Sequence, residues 1–195
     1  MRIFQIITVS EYGGAQTIVA DLVKNLSSEH ELFILYGGDG QAWSNLGDGF
    51  TRIRLNGHRK NISLSDISLF FKLLYYRIKY KPDVVHLHSS KMGVLGRLAF
   101  CSRKTVYTVH GFDSIRKAFR RFLTVEKILK NKAYRIVGVS RYDVDVMEEE
   151  GIYKNVECIY NGVADHHRLT ANKNDRIALQ LEKIKQSYPK TIMCI

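Results

Sequence analysis

Short apolar runs rich in β-branched residues alternate along this chain with longer stretches of helical periodicity, and that alternation restricts the fold more than any other feature. Ile3–Val9, Leu32–Tyr36, Val84–His88, Thr105–Val109 and Tyr134–Val139 are short, mainly apolar and β-rich runs of strand length. Phe50–Leu55 alternates apolar and polar residues, as a half-exposed strand does, and Val156–Tyr160 is a last short strand. Between them the spacing predicts helices over Ala15–Leu26, Ser63–Tyr80, Met92–Cys101, Asp113–Asn131 and Arg141–Glu150. Ser63 or Ser65 is the expected N-cap of the second helix, and Pro82 stands just past its end. Strands alternating with helices require crossover connections and hence parallel pairing. The expected class is α/β: a Rossmann-like, doubly wound, mainly parallel sheet with helices on both faces. Sheets of this kind bind ligands outside the carboxyl ends of their strands.

The chain has 195 residues, two prolines and no low-complexity linker, so residues 1–165 read as one domain. Residues 166–195 read as an interdomain segment and the beginning of a second domain, with a charged helix at Asp175–Ser187 and a new strand at Lys190–Ile195. A buried parallel strand needs neighbours, so the expectation is that the protein continues.

Each strand end carries a distinctive group. Glu11-Tyr12-Gly13-Gly14-Ala15-Gln16 follows the first strand. Two glycines at a strand-to-helix turn allow close backbone approach to a ligand, and the helix start offers free N–H groups to an anion. A tight turn without a ligand is the simpler alternative. Neither the dinucleotide fingerprint nor the Walker loop is present. Gly37-Gly38-Asp39-Gly40 reads as a conformational loop. His86-Leu87-His88-Ser89-Ser90-Lys91 ends the fourth strand, where His86 and His88 share a face. With no third ligand nearby in sequence, one packed histidine and one facing the cleft is preferred to a metal site. His110-Gly111 ends the fifth strand and makes His110 a site candidate. Ser140 is an N-cap, and Arg141 beside it could meet a phosphate or carboxylate.

Taken together and in order, Gly-Gly, His-x-His, Thr-Val-His-Gly, Val-Ser-Arg and Tyr-Asn-Gly-Val resemble the N-terminal domain of family-four glycosyltransferases, the retaining GT-B enzymes. The resemblance spans residues 1–165. It implies two Rossmann-like domains facing across a cleft, the first binding the acceptor and the second the nucleotide sugar. It implies that Gly13 and Gly14 approach the donor diphosphate and that His110 is the catalytic cleft histidine. His88, Lys91 and Arg141 become acceptor- or phosphate-side groups, and Asn161-Gly162 the hinge. No cofactor or metal is expected beside the substrate, a nucleoside-diphosphate sugar. The family's diphosphate clamp and its Glu-x7-Glu element belong to the second domain, after its first strand, so this chain alone is expected to be inactive. The alternative is a non-catalytic subunit that binds acceptor or membrane and pairs with a separate donor-binding chain.

The formal charge of +11 calls for an anionic partner. Nucleic acid is disfavoured because no recognition motif is present. A phosphorylated substrate and an anionic membrane remain. The basic helix Asp113–Lys132 is the first choice for membrane contact, and Ser63–Tyr80 with its aromatics the second. Three scattered cysteines and no secretory or membrane-spanning run suggest a cytoplasmic protein, with peripheral attachment to the inner membrane face as an option.

Overall fold

A computed structural model describes residues 1–55, 64–118 and 120–162. The chain divides into two compact units, Met1–Asn161 and Gly162–Ile195. The helix and strand expected at Asp175–Ser187 and Lys190–Ile195 lie outside the described residues, as does Ser63.

Seven strands form one sheet: β1 Arg2–Ile7, β2 Glu31–Tyr36, β3 Thr51–Arg54, β4 Val84–His88, β5 Thr105–Val109, β6 Arg135–Gly138 and β7 Val156–Cys158. Their order is β3-β2-β1-β4-β5-β6-β7 and every pair is parallel. Among the described residues five α-helices accompany them: α1 Gly14–Leu26, α2 Leu64–Tyr80, α3 Ser90–Ala99, α4 Arg120–Leu129 and α5 Arg141–Glu149. The mainly apolar runs become the central strands because both their faces are covered. Phe4, Ile6, Phe33, Leu35, Leu87 and Tyr107 join one core cluster; Ile3, Ile7, Val19, Val23 and Ile34 join the other.

Two glycines let α3 lie close to the sheet. A Cβ on Gly93 would sit 2.4 Å from the Tyr107 ring, and one on Gly96 2.3 Å from Leu87. The same helix buries Arg97 completely. Its guanidinium donates to Glu126 of α4 at 2.5 Å and to the Gly93 and Leu129 carbonyls, and stacks 4.6 Å over Tyr107. Burial raises the carboxyl pKa of Glu126, and the adjacent guanidinium opposes the shift.

The structure departs from the expected helices in two places. Ser65 lies inside α2 rather than capping it. The single long helix expected from Asp113 is instead a π-helical turn, Ser114–Ala118, followed by α4. Four of its basic side chains are occupied within the chain. Arg116 pairs with Asp113 and Glu149, Lys117 with Asp113, and Lys127 with Glu150, while Lys130 donates to the Gly151 carbonyl. Ile115, Leu123 and Leu129 belong to the buried core, so the apolar stripe of this segment faces the sheet.

Candidate functional site

The sheet order reverses between β1 and β4. On either side of that point the connections leave in opposite directions, opening a crevice at the carboxyl edge. The loops after β1, β4, β5 and β6 all end at this edge.

The loop after β1 is held from below. Ala42 N–H donates to the Ser10 carbonyl at 2.9 Å, and Gly40 lies so close that a Cβ there would stand 2.2 Å from that oxygen. Gln16 donates to the Val9 carbonyl. The loop read from sequence as merely conformational therefore braces the glycine turn. Gly13 is extended, and its carbonyl accepts from Thr17. Gly14 starts α1, and a Cβ on it would meet nothing within 4 Å. No side chain caps α1 and no acidic residue occupies its first turn, so its N–H groups face the crevice edge unneutralised.

Across the crevice, β4 enters α3 through Ser89, whose φ of 73° and ψ of 150° lie in a region that is nearly glycine-only. Its hydroxyl hydrogen-bonds that of Thr8, tying the ends of β1 and β4 together. The N-terminus of α3 likewise has neither a side-chain cap nor an acidic residue in its first turn.

Three histidines line up beneath the edge. The rings of His86 and His88 are 4.0 Å apart, and those of His88 and His110 5.4 Å. His86 Nε2 bonds Thr108 at 2.7 Å. His88 is wholly buried, with Nε2 2.8 Å from Gln5 Oε1 and Nδ1 3.1 Å from His110 Nε2. A carbonyl oxygen only accepts, so Gln5 requires the His88 proton on Nε2. His88 Nδ1 must then accept, and His110 Nε2 must donate. This leaves Nδ1 as the basic atom of His110. Burial lowers the pKa of all three rings, that of His86 to about 4, and for His110 nearby Asp143 partly opposes the shift. All three are neutral near pH 7. His88 and His110 bond each other through one nitrogen apiece, His86 turns to Thr108, and no group of three or more side chains placed to hold a metal ion occurs among the described residues.

Gly111, with φ of 96°, turns the chain after His110. Asp143 of α5 fixes that turn: its Oδ1 accepts from Phe112 N–H at 2.7 Å, while its Oδ2 accepts from the Ser140 hydroxyl at 2.6 Å. Ser140 caps α5 as expected, accepting from Asp143 N–H.

The structure brings His88 and His110 together, but it places His88 under the surface with both nitrogens engaged. Lys91 is mostly buried and pairs with Asp66 of α2 at 2.9 Å. Arg141 is exposed and pairs with Asp145 at 3.0 Å on its own helix. Asn161 and Gly162 stand exposed at the boundary between the two units. Gln5, Thr8, Ser89 and Asp143 were not singled out from sequence. An inward polar residue amid the apolar run of β1 was the one available signal, for Gln5.

Comparison with known proteins adds the following. A model of Glycosyltransferase Family 4 matches residues 12–167. An uncharacterised 41.2 kDa protein in the cps region of Klebsiella pneumoniae is 27% identical over 165 residues, covering 78% of this chain and 44% of that protein. Among solved structures, Anabaena HepE in complex with UDP-glucose superposes with a TM-score of 0.71 at 20% identity, over 97% of this chain and 50% of that one. A glycosyltransferase from Rickettsia africae gives 0.69 at 22% identity, over 98% and 50%. The chain spans about half the length of the relatives it matches.

Proposed function

The chain belongs to Glycosyltransferase Family 4, and on that premise we propose that it forms the acceptor-side half of a two-domain retaining enzyme. That enzyme would transfer a sugar from a nucleoside-diphosphate sugar to a glycan or lipid-linked acceptor in the synthesis of a cell-surface polysaccharide or lipopolysaccharide. One observation carries the reading: a neutral histidine, His110, is held in a fixed ring orientation at the carboxyl edge, beside a crevice flanked by two helix N-termini that carry no acidic residue in their first turns. The leaving group of such a transfer is a diphosphate, whose growing negative charge is stabilised by free N–H groups and helix dipoles. Gly13 and Gly14 supply that wall. His110, uncharged, can accept a hydrogen bond from a sugar hydroxyl at Nδ1 without adding charge to the site. His88 acts as support for His110. Lys91 and Arg141 are assigned to the acceptor side, where Arg141 would have to exchange Asp145 for the substrate. Asn161-Gly162 serves as the hinge, and no metal ion is required.

The test is sugar transfer by the enzyme carrying both halves, followed by release of nucleoside diphosphate over a panel of nucleotide sugars. His110→Ala is expected to lower kcat by about a hundredfold or more, and the product should keep the anomeric configuration of the donor. An inverted product, or a variant as fast as the parent, refutes the reading. The 195-residue chain alone is expected to give no transfer.

A further inference from the structure

The helix α2 is apolar on two opposite faces, and only one of them is used. Leu69 and Leu73 are buried against the sheet, with Tyr76 and Tyr80 packed beside them. On the other side Leu64, Ile67, Phe71, Tyr75 and Ile78 are 85, 56, 62, 56 and 72% exposed. Their spacing of three and four residues confines them to an arc of about 80° along about 21 Å of helix. Scattered apolar residues on a surface need no explanation, but an aligned stripe opposite the core does. None of the five belongs to either core cluster or packs against one.

The rim of the stripe is cationic. Lys72 and Lys79 follow one edge, while Arg77 turns away from the stripe to donate to the Ala99 carbonyl of α3 at 2.7 Å. Lys79 lies over the Tyr75 and Tyr80 rings. The only acidic residue of the helix, Asp66, is turned inward and pairs with Lys91. A second copy of this face would set cation against cation, which disfavours self-association through a two-fold contact. No helix among the described residues is long and apolar enough to cross a membrane. An amphipathic helix with aromatic and aliphatic side chains between lysines suits a bilayer interface, its apolar side in the acyl boundary and its cations among anionic headgroups.

We propose that the Leu64–Ile78 face of α2 docks this domain on an anionic lipid bilayer, with the helix axis in the plane of the interface. The basic π-turn and α4, where Arg116, Lys117 and Lys127 are ion-paired within the chain, do not carry the docking. The inference is independent of the reaction assigned above.

Co-sedimentation of the 195-residue chain with phosphatidylcholine–phosphatidylglycerol vesicles, and with phosphatidylcholine vesicles alone, tests it. Binding is expected only when the anionic lipid is present. The double variant Phe71→Ser/Ile78→Ser changes exposed positions and should fold normally by circular dichroism, yet its vesicle partitioning should fall by about tenfold or more. Lys72→Glu/Lys79→Glu should lose binding to a similar extent, and Arg116→Gln/Lys117→Gln should keep it. Equal binding to both kinds of vesicle, indifference to the α2 variants, or loss through the Arg116/Lys117 pair overturns the proposal. So does a chain dimer in sedimentation equilibrium that the Phe71/Ile78 variant dissociates, because a second copy would then be the occupant.

Discussion

At the scale of single residues, the orientation of His110 depends on an amide at the far end of a hydrogen-bonded row. Gln5→Leu removes the acceptor that holds the His88 proton on Nε2. His88 then loses its fixed tautomer and His110 loses its own. Ring nitrogen shifts should show His110 protonated at Nε2 in the parent chain and as a mixture in Gln5→Leu, with the parent pattern retained in Gln5→Glu, which can still accept. A His110 tautomer indifferent to Gln5→Leu would disprove the relay. The unpaired His88 N–H should also cost about 1–3 kcal/mol in a urea melt. The glycines separate in a comparable way. At Gly14 an added Cβ meets nothing, so Gly14→Ala should leave stability unchanged or slightly raised, and any loss of nucleotide-sugar use must come from the ligand side. At Gly40 the Cβ would strike the Ser10 backbone, so Gly40→Ala should destabilise by about 1–3 kcal/mol in the same melt. His110 and the two glycines were legible in the sequence because strand ends and turn glycines are local signals. Gln5 and Asp143 act on residues far along the chain, His88 and Phe112, and a single sequence does not display such pairs.

At the scale of elements, the alternation of apolar runs and helical periods located every strand among the described residues within about two residues, since buried parallel strands are short apolar segments by necessity. The π-helical winding of Ser114–Ala118 was not legible. The apolar residues of this stretch continue at helical spacing through Ile115, Phe122 and Leu129, as they would in an uninterrupted α-helix. The Arg97–Glu126 pair was equally invisible, joining α3 to α4 across 29 positions. It now predicts how those helices are bound together. Arg97→Met leaves Glu126 buried without its cation and should destabilise by about 3–5 kcal/mol. Arg97→Met combined with Glu126→Leu should recover most of that loss, because the apolar pair carries no desolvation cost. Denaturant midpoints of the two variants decide it: a double variant as weak as the single one would mean that the carbonyl contacts to Gly93 and Leu129, and not the ion pair, hold α3 and α4 together.

At the scale of the whole molecule, one parallel sheet gathers the loops after β1, β4, β5 and β6 at a single edge, and it sets three histidines side by side beneath that edge. That arrangement makes the stability of the domain depend on pH in a definite direction. Near pH 7 the rings are neutral both folded and unfolded, and pH has little effect through them. Between about pH 6.5 and about pH 4 the unfolded chain takes up protons at His86, His88 and His110 that the folded chain refuses, because burial holds their pKa values down. The unfolded state then binds more protons, so stability must fall as the pH falls, by about 1.4 kcal/mol per pH unit for each proton refused. For His86 alone, whose pKa is lowered to about 4, the loss amounts to about 3 kcal/mol before it levels off below that pH. Carboxylates such as Asp113 and Glu150, whose pKa values are lowered by paired lysines, lose their contribution further down, below the usual carboxylate range. Urea melts across this interval should therefore show a slope that His86→Gln reduces and that Asp113→Asn leaves in place. A flat profile between about pH 6.5 and about pH 4 would mean that the edge opens and hydrates its histidines without unfolding, and the fixed orientation of His110 would then have to be supplied by bound substrate.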